Sequence, residues 1–308
     1  NHAEQDHSGS IPRMIELHPD AKILTNQKCK DMLIDHLCIA EDKFITVKDR
    51  ETISIGGRTL EFILAPWVHW PETMFTYSRE DKILFSCDFL GSHYASSSLF
   101  VDDEARVYEG AKRYYAEIMM PFSTSIKKHL ETIKALDVEM IAPSHGPVYP
   151  RPETILDECS KWISDKGKNE VIIVFVSMHG STEKMVNHLI AALIDRGITV
   201  RPFNLTGTDL GELAVSLIDA ATIVIATPTV LVGAHPEVAY AVSLVNALRP
   251  KLKFAGIIGS YGWGGKVVEQ ITGMISNLKL EVLDPVLVKG HPKDGDIAAL
   301  DLLADEIL

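Results

Sequence analysis

At 308 residues, with 46% apolar and 23% charged side chains, the chain has a globular balance and room for two domains, which excludes a disordered polypeptide. Its net charge of −12 repels phosphate backbones and argues against a nucleic-acid partner. No apolar run approaches the ~20 residues that span a bilayer, so no membrane role is expected.

The chain opens on Asn1 rather than Met, directly on a string of potential metal donors, His2-Ala3-Glu4-Gln5-Asp6-His7, and so reads as N-terminally truncated. Imidazoles and carboxylates this close converge on one centre only from a loop, because neighbours on a helix face stand three or four residues apart. Ser8-Gly9-Ser10 suits such a loop. Strands are then expected over residues 21–25, 43–47, 58–65, 74–77, 82–87 and 139–142, and helices over 27–36, 109–119 and 124–136, an α/β sandwich with much antiparallel pairing. Three more donors lie at strand ends or in loops. His69 sits in Pro66-Trp67-Val68-His69-Trp70-Pro71, Asp88 follows the apolar strand ending at Cys87, and His145 lies in Pro143-Ser144-His145-Gly146-Pro147.

The pattern changes between residues 150 and 170, where Pro150-Arg151-Pro152 and a polar stretch over 164–169 place a domain boundary near residue 166. Beyond it, strands at 171–176, 199–203, 222–227, 254–259 and 281–288 alternate with helices at 182–196, 210–218, 237–248, 266–278 and after Gly295. Met185, Leu189 and Leu193 stripe the first of these helices, and Gly197 closes it. Five buried strands alternating with helices predict a doubly wound, five-stranded parallel sheet, whose ligands lie beyond the carboxyl ends of its strands.

The loops at those ends carry the second set of candidates. Ser177, Met178, His179, Gly180, Ser181 and Thr182 join a strand to a helix start, an arrangement whose N–H groups and hydroxyls suit a phosphate. Neither GxxxxGK[ST] nor GxGxxG is present, which excludes a P-loop nucleotide site and a dinucleotide there. Pro228, Thr229, Val230, Leu231 and Gly233 follow the third strand; Ser260, Tyr261, Gly262, Trp263, Gly264 and Gly265 follow the fourth. Together they offer the apolar walls and close backbone approach that a flavin ring needs. The four cysteines, Cys29, Cys38, Cys87 and Cys159, form no CxxC pair, which removes a built-in rubredoxin module, an iron–sulfur cluster and a Cys-rich zinc site. So few thiols suit a reducing compartment, and a cytoplasmic location is expected.

Taken in order, HxExDH, His69, Asp88 after a buried strand and Ser144-His145-Gly146 resemble the metallo-β-lactamase superfamily. Glu4 stands where the zinc hydrolases of that superfamily carry histidine, and with it the chain resembles the flavodiiron proteins over essentially its whole length. A hard anionic oxygen at that place favours iron over zinc. The loop over 177–182 is similar to the FMN phosphate loop of flavodoxins. The resemblance implies a metallo-β-lactamase-like αββα diiron domain over residues 1–166, lacking its N-terminal part, and a flavodoxin-like FMN-binding domain over 167–308. It implies that His2, Glu4 and His69 hold the iron nearer the flavin, that Asp6, His7 and His145 hold the second, and that Asp88 bridges them. The implied activity is reduction of dioxygen to water or of nitric oxide to nitrous oxide, with His93 and Tyr94 as candidates beside the metals. Its electron donor would be rubredoxin, another small iron–sulfur or flavin protein, or, since the likeness is greatest to archaeal F420H2 oxidases, reduced coenzyme F420. A head-to-tail homodimer or a dimer of dimers is implied as well. Two competing readings are a metal-dependent hydrolase fused to a flavodoxin-like domain and an electron carrier with a silent gas site.

Overall fold

A computed structural model describes residues 1–308, which divide into two compact units, Asn1–Ile163 and Ser164–Leu308. In the first, α1 (Gln5–Ser8) and α2 (Ile11–Leu17) precede β1 (Ile23–Thr25), α3 (Gln27–Leu37) and β2 (Phe44–Thr46). There follow β3 (Thr52–Ser54), β4 (Thr59–Leu64), β5 (Met74–Ser78), β6 (Ile83–Cys87), α4 (Glu104–Tyr114), α5 (Ser123–Lys134), β7 (Met140–Pro143) and α6 (Glu153–Trp162). One sheet takes the order β3-β4-β5-β6-β7, antiparallel until β7 joins β6 in parallel, while β1 and β2 pair separately. The N-terminal residues are tied to this sheet: Met74 N–H donates to Asn1 O at 3.0 Å and Thr76 Oγ1 to Asn1 Oδ1 at 2.7 Å. That anchorage delivers His2 and Glu4 to one end of β5.

The second unit runs β8 (Lys168–Phe175), α7 (Ser181–Asp195), β9 (Thr199–Asn204), α8 (Leu210–Leu217), β10 (Ala220–Val230), β11 (Gly233–Ala234) and α9 (Pro236–Leu248). It closes with β12 (Phe254–Tyr261), α10 (Val267–Met274), β13 (Glu281–Val282), β14 (Val286–Lys289) and α11 (Asp294–Ile307). The parallel order is β9-β8-β10-β12, with β13 and β14 both on the outer side of β12. From Glu170 onward β8 is buried throughout, because helices cover both faces of the sheet. Val171, Ile173 and Phe175 point to one face at the period of two and pack with Met185, Leu189 and Leu193 of α7 and Leu300 and Leu303 of α11. The winding reverses between β8 and β10, so the loops after β8, β10 and β12 gather at one edge, the switch point where open α/β sheets bind ligands.

Several expectations are corrected. The donor string is not a loop, since Gln5–Ser8 make one helical turn and Ile11–Leu17 a second helix. Helix α4 starts at Glu104, capped by Asp103, and ends in a π-helical turn over Tyr115–Met119. An unforeseen helix, α6, begins directly after Pro152, since a proline just before the first turn forfeits no helical hydrogen bond. The strand expected over 281–288 is split in two around Asp284-Pro285, where proline has no N–H to give the ladder. A two-residue hairpin partner, β11, turns back on the end of β10.

Candidate functional site

The seven donors expected from sequence come together in the first unit. His2, Glu4, His69 and Asp88 present donor atoms within 4.8 Å of one another, and so do Asp6, His7 and His145. In the first group Glu4 Oε2 lies 3.1 Å from His2 Nε2 and 3.4 Å from His69 Nε2. In the second, Asp6 Oδ2 lies 3.4 Å from His7 Nε2 and 3.1 Å from His145 Nε2. Asp88 faces both. Its Oδ2 stands 3.1 Å from His69 Nε2 and 3.5 Å from His2 Nε2, while Oδ1 stands 2.8 Å from His7 Nε2 and 3.5 Å from His145 Nε2.

Donors around one ion at bonds of about 2.1 Å and near-right angles are about 3 Å apart, so these spacings fit two adjacent cations sharing a carboxylate. An orphaned atom points the same way. His7 Nε2 is buried and, despite its nearness to Asp88, makes no hydrogen bond. Charge is equally polarised. Burial by itself raises the Asp88 carboxyl, but the imidazoles of His69, His7 and His2 outweigh it and hold the group far below its ordinary range.

Local features place three of the donors, Asp88, His145 and His2. Asp88 follows Cys87, which sits at φ 56° and turns the chain out of β6. The carbonyl of His145 accepts the Ser92 N–H at 3.1 Å, which fixes the loop after β7. Behind His2, Nδ1 donates to Glu72 Oε1 at 2.7 Å, and both side chains are wholly buried. Burial raises the Glu72 carboxyl, and the hydrogen bonds from His2 and Ala3 more than offset it. Glu72 was missed because a lone glutamate after a proline looks like a solvated turn; the one signal available was its place three residues after His69. His93 and Tyr94 line a cleft of about 440 Å³ together with His145. The His93 ring meets Tyr114 edge-on at 4.6 Å, and Tyr114 lies 5.9 Å from the His145 ring. Tyr114, also unforeseen, keeps its phenol proton because burial, and then the nearby carboxylate of Asp88, push it upward.

The second unit holds a separate cleft of about 390 Å³ at the switch point, lined by Met178, His179, Ser181 and Thr182, by Pro228 through Leu231, by Ser260 through Trp263, and by Gly290. Gly290, at φ 75°, was not anticipated; its N–H donates to Tyr261 O at 2.9 Å and brings the β14 end to the cleft. Five expected residues do not line it. Ser177 Oγ instead accepts the Glu183 N–H at 3.2 Å, and Gly180, the N-cap of α7, makes the tight entry into that helix at φ 81°. Gly233 pairs with Val230 across the hairpin, while Gly264 and Gly265 continue the chain behind Trp263. Thr182 Oγ1 meets Ser260 Oγ at 3.2 Å, so hydroxyls from the start of α7 and the end of β12 share one wall. Helix-start N–H groups and hydroxyls suit a phosphate, and the exposed apolar faces of Leu231 and Trp263 suit a planar ring.

The family model described as ODP family beta lactamase matches residues 1–146. A nitric oxide reductase of Moorella thermoacetica is 35% identical over 288 residues, which cover 92% of this chain and 72% of that protein. Among solved structures, a rubredoxin oxygen:oxidoreductase of Desulfovibrio gigas superposes with a TM-score of 0.94 at 29% identity, covering 99% of this chain and 78% of its own. The flavodiiron protein of Giardia intestinalis gives 0.92 at 29% identity, covering 100% and 77%. With the mixed five-stranded sheet, the parallel switch-point sheet and these relatives in agreement, the chain belongs to the flavodiiron protein family of oxidoreductases.

Proposed function

We propose that this oxidoreductase reduces a small diatomic gas, dioxygen or nitric oxide, at two irons held by His2, Glu4, His69, Asp6, His7 and His145 and bridged by Asp88, with FMN in the second unit relaying electrons. The observation that carries the reading is the two-sided placement of Asp88, one oxygen toward each donor group. Four electrons and four protons convert dioxygen to two waters; two of each couple two nitric oxide molecules into nitrous oxide and water. Bound in these sites, the iron pair and the flavin would supply two electrons each, and the iron pair a place for the gas.

The chain's own residues do the rest. Three carboxylates, on Glu4, Asp6 and Asp88, would offset most of the charge of two divalent cations at the centre. Glu72 keeps the proton of His2 on Nδ1, leaving Nε2 free to ligate. Tyr114 keeps its phenolic O–H beside His145. The cleft beside His145 admits a small uncharged gas. In the second unit, the loop over 178–182 would hold the FMN phosphate, and the loops after β10 and β12 would flank its ring.

The electron donor is proposed to be rubredoxin or reduced coenzyme F420, the assembly a head-to-tail homodimer or a dimer of dimers, and the location the cytoplasm; no helix is long and apolar enough to cross a membrane. The test is to reduce the iron- and FMN-loaded protein anaerobically, add either gas, and follow gas consumption with an electrode and nitrous oxide by chromatography. Stoichiometric consumption of one or both gases is expected. A fully loaded, reduced protein that consumes neither overturns the reading.

A further inference from the structure

One buried carboxylate reaches the metal donors from outside their string. Glu72 lies on the turn leading into β5 and is 1% exposed. Its Oε1 accepts from His2 Nδ1 at 2.7 Å and from the Ala3 N–H at 3.0 Å, so a single oxygen grips both the ring and the backbone of the donor segment. Its backbone is pinned in turn. Asn26 Nδ2 donates to the Glu72 carbonyl at 2.6 Å, and Asn26 Oδ1 accepts the Cys29 N–H at 3.0 Å as the cap of α3. The backbone that carries the carboxylate is thus tied to the cap of α3.

This support reaches only one side of the centre. All four imidazoles direct Nε2 at the donor groups, yet only His2 has its Nδ1 bonded to a carboxylate. The two imidazoles on its side are 0% and 13% exposed, against 16% and 31% for His7 and His145, so water competes more readily on the other side. A buried anion on the far nitrogen fixes the tautomer, locks the ring and strengthens the ligating nitrogen.

We propose that Glu72 is a positioning residue that makes the two metal positions unequal, the one formed by His2, Glu4, His69 and Asp88 binding its ion more tightly than the one formed by Asp6, His7, His145 and Asp88. This rests on the bimetallic reading above. Glu72 acts through the His2 ring and the backbone of the donor segment at Ala3.

The experiment titrates the full chain, stripped of metal, with Co(II) under anaerobic conditions, following visible absorption and heat. Two resolvable steps are expected in the parent protein. Glu72→Ala weakens the tighter step by about 10–100-fold and leaves the weaker one unchanged, the scale on which such outer partners act. Glu72→Gln keeps an acceptor oxygen but no charge, and produces a smaller loss in the same step. Should the alanine variant fail to fold by circular dichroism, the glutamine variant decides alone. Unchanged affinities in the folded variants, or an equal fall in both steps together with the melting temperature, overturn the proposal and leave the two-metal reading standing. A parent protein that takes up only one ion overturns that reading and this proposal with it.

Discussion

Asp88 concentrates the character of the centre in one carboxylate, because each oxygen has its own pair of imidazoles. Asp88→Asn turns one of those oxygens into an N–H donor aimed at a metal donor set. Iron content should fall from two per chain to one or fewer while the far-ultraviolet dichroism is retained, as measured by elemental analysis on the folded variant. A second residue-scale prediction lies away from the metals. Glu61 is buried on β4 and accepts from Arg50 at 3.1 Å and from Arg79 at 2.8 and 2.9 Å. Burial raises its carboxyl, but the two guanidiniums outweigh that and lower it below the ordinary 4.5. A lowered folded-state value means the pair stabilises fully above that range and loses its effect as pH falls through the folded value. Glu61→Gln should therefore cost about 1–2 kcal/mol at neutral pH in denaturant melts, with the difference from the parent shrinking once the pH is taken below 4.5.

At the scale of elements, the loop after β7 presents His145 through a residue that has no freedom to change. Gly146 has φ 83°, and an added Cβ would lie 2.2 Å from Ser92 Oγ and 3.2 Å from Ser92 O. Gly146→Ala should cost about 1–3 kcal/mol in thermal melts and release metal held by His145, whereas full metal retention would contradict the role given to this loop. In the second unit, Leu189 of α7 is fully buried against the sheet, so Leu189→Ala should cost about 2–5 kcal/mol. The strands and helices of this unit were legible because burial on both faces writes apolar runs, and the α7 stripe repeats at the helical period. The seven residues that the structure gathers into two donor groups could be picked out for another reason: imidazoles and carboxylates in a fixed order are chemically conspicuous. What stayed hidden was set by tertiary context. The single turn over Gln5–Ser8 is too short for a periodic signal, the prolines before α6 look like a breaker, and Glu72 and Tyr114 matter only through neighbours distant in sequence.

At the scale of the whole molecule, the candidate metal donors fall between residues 2 and 145 and the cleft proposed for the flavin between 178 and 290, in separate compact units. Each cofactor should therefore be removable alone. Stripping FMN is expected to leave two irons bound but to abolish sustained turnover with a reductant, and chelating the iron should leave the flavin spectrum in place; loss of one on removal of the other would contradict separate sites. Two donor groups joined through Asp88 are what a two-iron centre requires. The most direct measurement is elemental and flavin analysis of protein produced with ample iron and kept anaerobic. Two irons and one FMN per chain are predicted, and a single bound ion, or zinc filling both positions, would contradict it.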